Sequence, residues 1–235
     1  MRIVGLLVVI ASTASAWSQP LPSEAQRQER IKQYEQITRD NPRDVEMWHI
    51  LAGLYRDSEL WDKAIAAEGQ AIQRHPKYAV AFWGRGKARI AKEDYAAAVD
   101  DLTSAIKLYE ARGGVEMYLT LEQPSEEYID CYRSRGVAQA HLNRYPDGIT
   151  DLSTALRLRK DDAKLLYERG YLEEKGGRKV EAIADYQRSG LIYADAHARQ
   201  PAEECLTHLD ALGAKAEADA VRRKMEPKKA KSDLP

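Results

Sequence analysis

The stretch Ala81–Leu108, AFWGRGKARIAKEDYAAAVDDLTSAIKL, decides the architecture because the chain carries it a second time. At Cys131–Leu158 the sequence reads CYRSRGVAQAHLNRYPDGITDLSTALRL. The copies share Arg85/Arg135, Gly86/Gly136, Ala88/Ala138, Tyr95/Tyr145, Asp101/Asp151, Leu102/Leu152, Ala105/Ala155 and Leu108/Leu158. A looser copy at Leu165–Ile192 keeps Arg169, Gly170, Ala182, Asp185 and Tyr186 in the matching places. Repetition on this scale fixes architecture before any single motif is read. It predicts an array in which each unit buries its faces against its neighbours.

The period extends in both directions. Pro42 to Pro76, Ala52 to Gly86 and Gly136 to Gly170 are each 34 residues. Residues 44–76 form a first unit with Trp48, Leu51, Ala52 and Tyr55, then Ala64, Ala71 and Pro76. Small residues at Ala52, Ala64 and Ala71 let two antiparallel helices approach, while Trp48, Leu51 and Tyr55 share one helix face. That order and spacing resemble the tetratricopeptide repeat. The resemblance implies an all-α fold, a right-handed α-solenoid of helix-turn-helix repeats forming an α-α superhelix. Glu68 departs from the family pattern, which has an aromatic there.

The remaining units follow in register. Ser23 can cap a helix over 23–42 with Ile31, Tyr34 and Ile37 on one face, a half repeat covering the open end. The second unit, 79–109, carries Phe82, Gly86, Tyr95, Ala98, Leu102 and Ala105. Gly86 to Gly136 is 50 residues, one period plus 16, and the surplus falls in 110–124. There Val115, Met117, Leu119 and Leu121 alternate with polar residues at a strand-like period. The insertion is either a binding element or a helix extension with a plain loop. The third unit is 125–160 and the fourth 162–194. A degenerate fifth, 199–225, is atypical because one face has no neighbour. The Lys-rich 226–235 is too polar to pack and is predicted to be a disordered, solvated tail.

At the amino end, Met1-Arg2 is a short positive region, Ile3–Ala11 is apolar, and Ala14-Ser15-Ala16 is a small-residue cleavage site. This reads as a signal peptide over 1–16, with a polar leader at 17–22. The apolar run is well short of the roughly 20 residues of a spanning helix, so no stable membrane anchor is expected after cleavage. The predicted destination is a bacterial periplasm, with secretion as the alternative. Cys131 and Cys205 fall on first helices two units apart, too far for a disulfide, and read as small semi-buried fillers. Net charge is −1, which gives no electrostatic case for nucleic acid.

One motif reads as structural. Arg85, Arg135 and Arg169 each precede a glycine, and each is followed sixteen residues later by Asp101, Asp151 or Asp185. The first unit has Leu51 and Ala67 at those places, so both partners are missing together. A charge pair that comes and goes as a pair predicts an ion pair bracing the two helices of one unit.

A partner site comes from the resemblance. Tetratricopeptide arrays bind peptide segments in a concave groove lined by first helices. The corresponding positions here present His49, Trp83, Lys87, Arg133, Lys164, Tyr167 and Tyr171. Aromatics beside cations can stack on an extended peptide and catch a carboxylate. The family's carboxylate clamp uses Asn at groove places where this chain has Gly53, Gly84, Ser134 and Val137, so that activity is not implied.

No nucleophile elbow, phosphate loop or H-E-x-x-H motif is present, and an enzyme is not expected. Cys205-Leu206-Thr207-His208 with His197 lacks the residues to complete a four-ligand metal site. The adjacent acids Asp100-Asp101, Glu126-Glu127 and Glu203-Glu204 point different ways from their helices and read as solvated faces. The expected function is therefore an interaction scaffold without cofactors, a monomer or weak homo-oligomer that binds a protein or peptide. The alternatives are an assembly piece joined through solenoid ends, or a non-catalytic subunit of an envelope enzyme.

Overall fold

Ser23 opens the first helix with a reciprocal cap: its hydroxyl accepts from the Gln26 N–H while the Gln26 side chain accepts from the Ser23 N–H. Two of the orphan donors at the helix start are thereby satisfied. The helix, α1 (Glu24–Asp40), buries Ile31 and Thr38 and stops at Asn41-Pro42. In a computed structural model of the chain, the described residues are 23–111 and 125–226. The segments read as a signal peptide and leader, nearly all of the insertion, and the basic tail beyond Glu226 fall outside them.

Beyond α1, the described residues form five helix pairs: α2 (Val45–Asp57) with α3 (Trp61–Arg74), α4 (Ala79–Ala91) with α5 (Tyr95–Glu110), α6 (Glu126–His141) with α7 (Tyr145–Leu158), α8 (Ala163–Lys175) with α9 (Lys179–Asp195), and α10 (Arg199–Ala211) with α11 (Lys215–Met225). Every described helix is α and no strand occurs among the described residues. Aspartates cap three of these helices from the residue before each begins: Asp44 on α2 and Asp162 on α8, both first helices, and Asp94 on the second helix α5.

Each helix packs on its neighbours in sequence, and α2, α4, α6 and α8 also touch one another in turn. The second helices α3, α5, α7 and α9 do not pack on one another in this way; at the last unit the pattern reverses, and the second helices α9 and α11 pack together. The repeats bury three apolar clusters rather than one core. The first centres on Leu51, Ala52, Tyr55 and Ala64, and the third on Ala182, Tyr186, Leu209 and Val221. The largest runs from α4 to α8 around Leu102, Tyr128, Tyr132, Leu152 and Leu165, and so bridges the insertion. Cys131 and Cys205 are free and completely buried, deeper than the semi-buried setting expected, because each faces the seam between consecutive units.

The turn inside each pair repeats one backbone solution. Glu59, Glu93, Asn143, Gly177 and Gly213 all take positive φ, from 57° at Glu59 to 79° at Gly177. Only glycine adopts this left-handed region without a Cβ clash. Glu93→Gly is therefore expected to stabilise the array by about 0.5–1 kcal/mol, the relief of that clash less the added chain entropy of glycine. An unchanged or lower urea midpoint for the variant would show that the Glu93 turn carries no such cost.

Candidate functional site

The middle of the array is braced by charge. Arg85 Nε and Nη2 donate to Asp101 at 2.9 and 2.7 Å. Arg135 grips Asp151 at 2.8 and 2.7 Å, and Arg169 grips Asp185 at 2.6 and 2.9 Å. Each pair is a two-bond fork joining the two helices of one unit, the geometry that makes guanidinium–carboxylate contacts directional. The sequence reading of adjacent acids as solvated faces holds for exposed Asp100 but not for Asp101, which is 3% exposed. At the ends of the array the corresponding places are apolar: Leu51 with Ala67, and Cys205 with Val221.

The first unit replaces the brace with another charge cluster. Glu68 is fully buried, and its carboxylate takes Arg56 Nη1 at 2.7 Å and His49 Nδ1 at 3.0 Å. Burial pushes the Glu68 carboxyl up, and His49 and Arg56 pull against that shift without cancelling it. Gly84 on α4 leaves the space, since a β-carbon there would fall on the Glu68 oxygen. His49 also meets the edge of Tyr78 and lies 6.4 Å from the Trp83 ring. His49 is thus committed to a neighbour within its own unit.

Trp83, Lys87, Arg133 and Lys164 line one cavity of about 340 Å3 between α4, α6 and the start of α8. Its centre is Asp130, which sequence reasoning did not single out. Asp130 accepts from Trp83 Nε1 at 2.8 Å, from Lys87 at 3.2 Å and from Arg133 at 3.2 Å. Burial disfavours its charge, but Lys87, the indole N–H and Arg133 outweigh that and hold the carboxyl below its usual range. Lys87 also sits 4.4 Å over the Trp83 ring. Arg133 is further engaged by Glu168, its Nε 2.7 Å from Oε2 while Nη2 donates to Oε1. The expectation of Lys87 and Arg133 as cations awaiting a partner's carboxylate therefore meets a groove already neutralised from within. Lys164 differs: it is exposed and has no hydrogen bond or ion pair to the described residues.

A second cavity, of about 300 Å3, adjoins the first across Glu168 and is lined by Val137, Ala140, His141, Tyr167, Tyr171 and Leu172. Tyr171 is 39% exposed, whereas Tyr167 turns its hydroxyl to His208 Nε2 at 3.2 Å. His208 stacks on Tyr186 at 4.5 Å and bonds Glu174 through Nδ1 at 2.8 Å, tying the fifth unit to the fourth. Cys205 instead faces Ser189, and among the described residues no group of His, Cys, Asp and Glu is arranged to hold a metal ion. No helix among the described residues is long and apolar enough to cross a membrane. A further cavity of about 500 Å3 at the C-terminal end is lined by Ala194, Leu206, Arg222 and Met225, and none of the groove residues reaches it.

Compared with known proteins, residues 31–79 and 134–201 match the family described as the tetratricopeptide repeat. Comparison with the curated proteins finds no match. Among solved structures, MamA is similar with a TM-score of 0.60 at 20% identity, over 70% of this chain and 87% of its own. YrrB, described as a protein of this repeat class with an unusual peptide-binding site, is similar with a TM-score of 0.54 at 18% identity, over 82% and 99%. A thermophilic repeat protein of Thermus thermophilus gives 0.53 at 18% identity, over 85% and 92%. At these identities the likeness is one of fold.

Proposed function

We propose, for a chain that belongs to the tetratricopeptide repeat family, that it is an interaction scaffold holding an extended segment of a protein partner against its first helices. The observation that carries this reading is the pair of adjoining cavities on that face, one floored by Trp83 and Asp130, the other walled by Tyr167 and Tyr171. Lys87 and Arg133 are neutralised by Asp130 and Glu168, so affinity comes from aromatic and apolar contact, with Lys164 as the cation left to meet a partner's acid. The fold supports a protein-interaction role in general, and no enzyme family is indicated.

The test is affinity capture with the wild-type chain beside Tyr171→Ala and Trp83→Ala. Tyr171 is the cleaner probe, because its exposed ring makes no hydrogen bond to the described residues, whereas Trp83 anchors Asp130. Loss of an aromatic anchor from an interface costs about 2 kcal/mol, so at least a tenfold fall in recovery is expected from Tyr171→Ala. Equal recovery by all three chains, each with unchanged helix content, would place the partner elsewhere. We propose also that the chain is exported through the Met1–Ala16 segment. A fusion of residues 1–30 to a reporter active only outside the cytoplasm is expected to gain activity, and a silent fusion would remove that claim.

A further inference from the structure

The three braces differ in one residue each. Four places after the bracing arginine, on the same helix face, the second unit has Arg89, the third Gln139 and the fourth Glu173. Arg89 Nη1 joins Arg85 on Asp101 at 2.8 Å, giving two guanidinium groups to one carboxylate. Gln139 leaves the Arg135–Asp151 pair balanced, its own buried Oε1 without a hydrogen-bond partner. Glu173 sets two carboxylates against one guanidinium, 4.0 Å from Arg169 Nε and beside Asp185. The same seam therefore carries a net charge of +1, 0 and −1 in successive units, counting one charge for each of these Arg, Asp and Glu side chains.

The surplus charge of the fourth unit has no outlet. Glu173 is 4% exposed, and its Oε2 is buried without a hydrogen-bond partner. The charged groups facing it are Arg169 on its own helix, Asp185 and Glu181 on α9, and Arg178 from the turn. The α7 group that reaches the cluster is the neutral Ser153, whose hydroxyl is taken by Arg169 Nη1 at 3.1 Å. An ionised carboxylate in this position loses hydration and gains no full partner, and the accessible remedy is to bind a proton.

We propose that Glu173 makes the α8–α9 seam a proton-operated joint, closed when its carboxyl is protonated and loosened when it ionises. Burial, and after it the Asp185 charge, push this carboxyl up to about 7, with Arg169 and Arg178 pulling the other way. The folded value lies above the unfolded one, so the folded chain binds more protons between them. Stability contributed by Glu173 is complete below the ordinary glutamate range, declines as pH rises, and is gone above about 7. The joint bears on the groove because α8 also carries Tyr167, Tyr171 and Leu172.

The experiment compares wild type, Glu173→Gln and Gln139→Glu in the full chain. Glu173→Gln is expected to melt above wild type at pH 8 and together with it at pH 4. Amides of α8 and α9 in wild type should exchange up to about 300-fold faster at pH 8 than in the variant, after correction for intrinsic rates, as a carboxyl raised from 4.5 to about 7 implies. Gln139→Glu should give the third unit the same loss of stability with rising pH. A carboxyl-carbon NMR titration of wild-type Glu173 supplies a reading that needs no variant, with a midpoint near 7 expected. A midpoint in the ordinary glutamate range, or melting profiles that stay parallel from pH 4 to 8, would overturn the joint.

Discussion

Arg135→Leu is expected to destabilise the array by about 3–5 kcal/mol, and adding Asp151→Ala to recover a substantial part of that loss. Asp151 is 4% exposed and accepts both of its charge-assisted bonds from Arg135. Leucine fills much of the space but leaves the carboxylate in a helix–helix seam with nothing to balance it. The double variant removes the charge along with its partner, so the coupling between the sites should be about 1–3 kcal/mol. Recovery will be incomplete because Arg135 also donates to Thr103 at 3.1 Å and lies 5.6 Å over the Tyr132 ring. The penalty of the single change should shrink in acid, where the abandoned Asp151 can bind a proton in the folded state. Urea denaturation of the four chains of the cycle measures all three effects. Equal losses in single and double variants would mean that packing around Arg135, not its charge, carries the cost.

Gly148→Ala is expected to cost about 1–3 kcal/mol even though alanine is the better helix former by up to about 1 kcal/mol. Gly148 lies where α6 and α7 meet backbone to backbone. A β-carbon there would sit 2.8 Å from the Gly136 carbonyl oxygen and 2.6 Å from Leu172 Cδ2. The leucine can turn aside, but the carbonyl belongs to a helix and moves only if α6 moves. The contact couples the third unit to the fourth, so loosening it should be felt in both. Gly69→Ala is the matched control: its nearest atom would be Arg85 Nη1 at 4.0 Å, and propensity alone should raise stability by about 0.5–1 kcal/mol. If both variants shifted the unfolding midpoint in the same direction, helix propensity rather than close approach would govern Gly148.

What could be read from the sequence was what the chain repeats. The 34-residue interval, with one surplus of 16 residues between Gly86 and Gly136, places Ala52, Gly86, Gly136 and Gly170 at one structural position, and an Arg–Asp offset of sixteen means the same distance across every braced hairpin. Glu68 stood out as a departure from the pattern, yet its partners were not legible, because Arg56 and His49 serve no other unit in that way. Asp130 was missed for a similar reason: the equivalent place one unit later holds Lys164, of opposite charge. Glu168, too, occupies a place that is Gly84 or Ser134 elsewhere. Residues that recur report on construction, and residues that appear once fill the groove. The charge series Arg89, Gln139 and Glu173 lies between these cases, a fixed place with changing content.

The clustering of contacts along the chain bears on how the protein reaches this state. Every closely packed helix pair among the described residues is adjacent in sequence or one helix removed, from α1 on α2 to α9 on α11. Among the described residues no packed helix pair has to wait for a distant part of the chain, so loop-closure entropy is small except across the insertion and contact order is low. Such chains fold quickly and can start from several units independently. The segment from α4 to α8 shares one apolar cluster and is the expected nucleus, and the terminal helices α1 and α11 are expected to fray before it in hydrogen exchange.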